Sequence, residues 1–233
     1  MTIDCVDHDK CSICCCGRTP ELFKKLSPSG LAELHAERKD IHFKAGEIIF
    51  KQGTVLTHFA CFREGMAKVY FERPEGSNIL INILGAGRFN GSMGFFTDNL
   101  HHMTVQALTD VSLCLISCKD METALENNAK MALELIAQKN ESIINLTNKL
   151  ANLTYKSMSG RVADVILYLK NQIYESSTFT LNLSRQDLAD LAAMTKESFI
   201  RSLKELKDSG VIKINRNYVE IVDLKALTKI SNN

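Results

Sequence analysis

No apolar run in these 233 residues reaches the roughly 18 that a membrane-spanning helix needs, so no membrane partner is expected. A basic-then-apolar leader is missing as well. The first residues are instead rich in Asp, Cys and His, and the expected location is the cytoplasm. Charge of one sign is also lacking: the formal net charge is +1, which by itself says nothing about nucleic acid. The two ends differ, however. From Tyr155 onward there are 12 Lys+Arg against 9 Asp+Glu, so the tail is about +3 and the front about −2, the direction that accompanies phosphate binding. An apolar share of 45% and a charged share of 24% are those of a folded soluble chain, and the length suits two domains.

Five of the eight cysteines, Cys5, Cys11, Cys14, Cys15 and Cys16, fall in the first 16 residues. In a reducing compartment such clustering reads as metal ligation, redox chemistry or a loose thiol tail before it reads as disulfides. This leader, 1–20, ends at Thr19-Pro20, and short helical patterns follow, with Ser27 as an N-cap. From Ile41 to Ser117 the texture becomes short β-rich runs: Ile41–Phe43, Ile48–Phe50, His58–Phe62, Ala67–Phe71, Ile79–Leu84, Met103–Leu108 and Val111–Ile116. Gly46, Gly53, Gly65, Gly76, Gly85, Gly87 and Gly91 punctuate them as positive-φ turns, which predicts an antiparallel β-roll, a jelly roll, as the sensor domain over 21–118.

Glycine and proline are then absent from Lys119 to Thr154, and a single long helix is expected over 119–156. Ile136, Ile143 and Leu150 lie seven apart with Leu146 and Leu153 between them, the seam of a two-stranded homodimer. The alternative is a stripe that packs on its own barrel. Lys139 is the one matching seam position that is not apolar. Ser157–Arg161 interrupts the pattern as a hinge, and a second domain is expected over 157–233, giving an α+β fold.

Within that domain Leu183 to Gly210 fits a helix-turn-helix. Ser184 caps the first helix, Ala189 is small where two helices approach, and Thr195 caps the second after a tight turn at Ala193-Met194. Phe199, Leu203 and Leu206 form a buried face, leaving Glu197, Arg201 and Lys204 at i, i+4, i+7 on another. Arginine reads guanine bidentately and glutamate accepts from cytosine, whereas Arg185, Gln186, Lys196 and Ser198 sit near helix ends where phosphates run. Val211 to Val222 reads as two strands around an Asn215-Arg216-Asn217 tip, a wing.

The order of roll, long helix, hinge, helix-turn-helix and wing, with Ser159-Gly160-Arg161 and Thr195-Lys196-Glu197-Ser198-Phe199-Ile200-Arg201, resembles the Crp/Fnr transcription regulators over essentially the whole chain. The resemblance implies a cyclic-nucleotide-binding-like roll and a winged helix-turn-helix in which Glu197 and Arg201 read a palindromic double-stranded operator. It also implies RNA polymerase as a partner. Ala193 departs from the family, whose turn usually has glycine, and a slightly more open turn is expected. The relatives that bind cyclic AMP use a Gly-Glu-Leu turn and an Arg-Ser pair. Here the matching residues are Gly91, Ser92, His101 and His102, so these mark an effector pocket but cyclic AMP is not the expected ligand. The oxygen-sensing branch holds a [4Fe–4S] cluster with three leader cysteines and one from the roll. That implies Cys11, Cys14 or Cys16 with Cys5 and Cys114; zinc, a thiol switch or an unliganded tail are the alternatives. Cys61 and Cys118 read as structural.

A barrel metalloenzyme of the cupin sort is the rival reading. It needs His-x-His with further ligands, and His101-His102 has the wrong spacing for two side chains on one strand face, so no enzymatic activity is expected. A non-DNA signalling module is the other rival, and the helix-turn-helix with its wing argues against it.

Overall fold

The computed structural model describes residues 20–35, 39–74, 78–90 and 93–233. The leader cysteines Cys5, Cys11, Cys14, Cys15 and Cys16, and the pocket candidates Gly91 and Ser92, lie outside the described residues. The chain divides into two compact units, Met1–Ser77 with Ile83–Ser142, and Asn78–Asn82 with Ile143–Asn233.

In the first unit a 3-10 turn (Phe23–Lys25) and helix α1 (Pro28–His35) precede the strands. These are β1 (Lys39–Phe43), β2 (Ile48–Phe50), β3 (His58–Glu64), β4 (Ala67–Phe71), β5 (Ile79–Leu84, whose first four residues are grouped with the second unit), β6 (Phe89–Asn90), β7 (Thr104–Ala107) and β8 (Val111–Ser117). They form two four-stranded sheets, ordered β1-β8-β3-β6 and β2-β7-β4-β5. Strands β3 and β8 read as continuous apolar runs because both of their faces are covered. Ala60, Phe62, Val111 and Leu113 point between the sheets, onto Val69, Leu84 and Val105. Phe59, Cys61, Cys114 and Ile116 point the other way, onto Leu22, Phe23, Leu34, Met121 and Met131. Cys61 and Cys114 stand directly opposite each other in the ladder, and Asp40 of β1 faces Cys114 from its other side. Gly46, Gly53, Gly65 and Gly87 take the positive φ expected of them, whereas Gly85 does not.

The stretch expected as one helix is two, α2 (Cys118–Asn127) and α3 (Ala129–Tyr155). Asn128 is extended, at φ −139° and ψ 91°, and its Oδ1 accepts from the Met131 N–H at 3.0 Å. An asparagine side chain that competes for backbone N–H groups ends one helix and caps the next without glycine or proline.

The second unit holds α4 (Met158–Tyr168), β9 (Thr178–Thr180), α5 (Arg185–Leu191), α6 (Lys196–Asp208), β10 (Ile212–Asn215), β11 (Tyr218–Ile221) and α7 (Leu224–Ser231). Ser157 caps α4 through the Gly160 N–H, so Met158–Arg161 is the first helical turn and the expected hinge narrows to Lys156-Ser157. Gly160 is there for close packing: a Cβ on it would come within 3.1 Å of the Ile230 carbonyl oxygen, at the end of α7. Ile166, Leu169, Leu188, Phe199, Ile212 and Leu227 are fully buried and hold α4 to α7 on the three-stranded sheet β10-β11-β9. The architecture is α+β: an antiparallel roll, a long helix and a winged helix-turn-helix.

Candidate nucleic-acid interface

Two caps set the two helices. Ser184 Oγ accepts from the Asp187 N–H while the Asp187 carboxylate accepts from the Ser184 N–H, a capping box that starts α5. Thr195 Oγ1 accepts from the Ser198 N–H at 3.2 Å and starts α6, a bond worth about 1 kcal/mol. Between them the Met194 N–H donates to Ala189 O and the Ala193 N–H to Asp190 O, the 6→1 and 5→2 bonds of a Schellman motif. Ala193 therefore occupies the left-handed position, at φ 48°, and the turn is not opened to relieve it. Arg161 Nη1 donates to the Ala193 carbonyl at 3.2 Å and ties this turn to α4.

Helix α6 buries Phe199, Leu203 and Leu206 against the domain. Lys196, Glu197, Arg201 and Lys204 are exposed and make no ion pair or side-chain hydrogen bond among the described residues. The four other candidates are engaged. Arg185 Nη2 donates to Arg216 O at the wing tip at 2.7 Å, and Gln186 Nε2 donates to Asp190 Oδ1 at 2.7 Å. Thr195 and Ser198 bond each other through the cap. One residue was not foreseen: Ile200, 44% exposed, flanks the Glu197, Arg201 and Lys204 face on its Lys204 side. An aliphatic residue at the edge of a charged helical face was the available signal. The wing is the β10–β11 hairpin, in register Asn215↔Tyr218, with Arg216 at φ 54° in its two-residue tip.

Of the pocket candidates on the roll, the two that are described, His101 and His102, have different surroundings. His101 is buried and its ring stacks on Phe50 at 4.5 Å, and burial holds its pKa below the usual histidine value. His102 points to solvent, with Nε2 3.1 Å from Asp98 Oδ1. Nearby, Glu72 accepts from Thr104 Oγ1 and pairs with Lys51 at 2.6 Å, so the carboxylate there has its own cation. Cys114 is 5% exposed and donates through Sγ to Asp40 Oδ1 at 2.9 Å, and Arg63 lies 3.3 Å from the same oxygen. Burial, and then Glu122, push the Cys118 thiol up to about 11. No group of three or more His, Cys, Asp or Glu side chains that could hold a metal occurs among the described residues.

Comparison with known proteins bears on both units. Residues 40–128 match the cyclic nucleotide-binding domain model and residues 160–230 match the Crp-like helix-turn-helix domain model. The nitrogen fixation regulation protein FixK of Bradyrhizobium diazoefficiens is 23% identical over 213 residues, 90% of this chain and 89% of that protein. The cAMP-activated global transcriptional regulator CRP of Haemophilus influenzae is 24% identical over 153 residues, 64% of this chain and 68% of that one. In fold, the chain matches FixK2 from Bradyrhizobium japonicum with a TM-score of 0.76 at 18% identity, over 83% of this chain and 96% of that chain.

Proposed function

Since the chain belongs to the Crp/Fnr family of DNA-binding transcription regulators, we propose that it binds a palindromic double-stranded operator as a homodimer, in the cytoplasm, with RNA polymerase as a further partner and no enzymatic activity. The observation that carries this reading is the unengaged face of α6, where Glu197, Arg201 and Lys204 stand in solvent on a helix whose opposite face is locked into the core. Arg201 pairs with guanine and Glu197 with cytosine, while Ile200 at the edge of that face suits a thymine methyl group. Lys196, Arg185, Gln186, Thr195 and Ser198 lie along the phosphates, the last four braced by their hydrogen bonds.

Dimerisation is supported by α3. Ile136, Ile143, Leu146, Leu150 and Leu153 are 44–61% exposed on one stripe of a helix whose only buried residue is Met131. Burying the remaining half of these ten side chains in a dimer contributes about 10 kcal/mol, comparable with the cost of association. The leader 1–20, the sensor 21–118, the dimerisation segment 119–156 and the DNA-binding domain 157–233 then act in sequence: a signal alters how two α3 helices pair, and the pairing sets whether two recognition helices match successive major grooves.

The signal in this reading is redox or a small effector. His101 stands where the cyclic-AMP-binding relatives have a cation, and a buried neutral ring does not hold a cyclic phosphate. Cys114 fits as the roll ligand of a [4Fe–4S] cluster with Cys5, Cys11 and Cys14 or Cys16, because it lies on the face that Leu22 and Phe23, just after the leader, cover. When bound, such a cluster supplies an oxygen-sensitive redox centre. Arg63 offsets the charge of Asp40 beside the Cys114 sulfur. About four irons per chain in anaerobically prepared protein, lost in Cys114→Ala, is the expected result; iron-free protein that still binds its operator refutes the cluster and leaves the regulator intact. The regulator itself is tested by selecting bound duplexes from a random pool: an inverted repeat is expected, and no enrichment refutes it.

A further inference from the structure

The described residues include three cysteines, and two of them face each other. Cys61 of β3 and Cys114 of β8 are directly opposite in the antiparallel ladder, on the sheet face covered by Leu22, Phe23, Met121 and Met131. Both are thiols, 1% and 5% exposed. Facing residues of an antiparallel pair have Cα atoms about 4.5 or about 5.5 Å apart, and a disulfide spans about 4.4–6.8 Å, so either kind of pair is within reach of a bond. The third cysteine, Cys118, begins α2 and donates through Sγ to Leu56 O at 3.6 Å, away from the ladder pair.

The two sulfurs differ in their surroundings. Cys61 belongs to the apolar cluster of Leu22, Phe23 and Phe59. Cys114 borders that cluster too, but its Sγ donates to Asp40 Oδ1 at 2.9 Å, and Arg63 lies 3.3 Å from the same oxygen. The Asp40 side chain is 33% exposed, so Cys114 is the sulfur that adjoins charged groups open to solvent. A thiol buried in apolar surroundings is inert, and one beside charged, partly exposed groups is the reactive member of a pair. A reactive thiol with a second thiol facing it ends as a disulfide before it reaches the higher oxides.

We propose that Cys61 and Cys114 are a reversible disulfide site, closed by hydrogen peroxide and reopened by a dithiol. The Cys114 sulfur attacks one peroxide oxygen: the O–O bond breaks, an S–O bond forms, and the thiol proton leaves with the departing hydroxide as water. The Cys61 sulfur then attacks the Cys114 sulfur. The S–S bond forms, the S–O bond breaks, and the Cys61 proton leaves with that hydroxide as a second water. The two thiols give up two electrons and the peroxide takes them. Facing Cβ atoms about 4.5–5.5 Å apart must close to about 3.5–4.5 Å, so the bond carries strain. A strained disulfide is the readily reduced kind, which suits a link that opens again. Closing it ends the hydrogen bond to Asp40 and withdraws the Cys114 sulfur from the ligand set proposed above, so disulfide and cluster are exclusive states of one residue. The disulfide itself does not depend on the cluster.

The test is a peptide map. The full chain, stripped of metal with a chelator and reduced, is exposed to hydrogen peroxide, its remaining thiols are alkylated, and it is cut with trypsin without reductant. The expected product joins peptide 52–63, which carries Cys61, to peptide 89–119, which carries Cys114 and Cys118, at a mass two hydrogens below their sum. Dithiothreitol should separate them. Cys118→Ser should leave the link in place, whereas Cys61→Ala should lose it and let Cys114 pass on to the sulfinic acid. In urea, where Cys114 meets its sequence neighbour Cys118 first, the yield of the link should fall at least about 10-fold. A link lost in Cys118→Ser, equal yields in the folded and the urea-unfolded chain, or Cys61 and Cys114 both still open to alkylation after peroxide overturns the site. Iron content of an untreated portion separates the two ideas. An iron-free chain that closes the bond refutes the cluster alone, whereas a chain that holds iron and, once stripped, never closes the bond refutes the disulfide alone.

Discussion

Ala193→Gly should make the protein more stable, against the usual direction of an alanine-to-glycine change. Ala193 is the left-handed residue of the Schellman turn between α5 and α6, at φ 48°. An L-residue with a Cβ in that conformation costs about 1–2 kcal/mol, a penalty glycine does not carry. Glycine gives back about 0.4–1 kcal/mol through the greater freedom of its unfolded chain. The net expectation is a gain of about 0.5–1 kcal/mol, which for a folding unit of this size raises the melting temperature by roughly 2–8 °C. The bonds that define the turn, and the Arg161 bond to the residue 193 carbonyl, all use backbone atoms of residue 193 and survive the change. Far-UV circular dichroism against temperature and urea on the full chain reads the effect, with Ala193→Val as the opposite control, because a β-branched residue is a worse fit to positive φ. A glycine variant less stable than the parent, or a valine variant unchanged, would refute the left-handed assignment and with it the angle at which α6 is held.

Arg201→Ala should cost about 1–3 kcal/mol on the selected operator and leave binding to random duplex nearly unchanged; equal losses on both, measured by fluorescence anisotropy, would make Arg201 a phosphate contact. Ile200→Ser should weaken the preference for thymine at one position of each half-site by about 1 kcal/mol, read by repeating the selection with the variant. Ile143→Glu should weaken the dimer by at least about 100-fold in sedimentation, since two carboxylates would face each other across an apolar seam. Burial holds the His101 pKa below its ordinary 6.5, so the unfolded chain takes up the proton first. Stability is therefore present above pH 6.5 and lost as pH falls below it toward the lowered folded value, and urea midpoints across that range should slope less in His101→Gln.

Much of the architecture was legible because local signals agreed. Strands β2, β4 and β5 occupy the residues their apolar runs marked, and Ser184 and Thr195 cap the helices they were expected to cap. What was missed depended on partners far along the chain or on elements too short for a period. Strands β6 and β9 have two and three residues, below what alternation can declare. The break at Asn128 carries no glycine or proline, only a side chain that accepts from the Met131 N–H. Gly160 reads as a breaker, yet its role is set by the end of α7, some 70 residues later. Alternation placed His101 and His102 on opposite sides, but the Phe50 ring that receives His101 comes from another strand. Likewise nothing near Cys114 in the sequence signals its partner Asp40, which β1 brings across the ladder from 74 residues earlier. Ile200 was passed over because an aliphatic residue on a recognition helix is ordinarily assigned to the core, and here it is not.

The most direct test of the central claim is a hydroxyl-radical footprint of the full chain on its selected duplex. Two protected half-sites, related by a two-fold axis and about 10 base pairs apart from centre to centre, are expected, with affinity falling steeply as salt rises. A single asymmetric patch, or protection that ignores sequence, would contradict a dimer reading a palindrome with paired α6 helices.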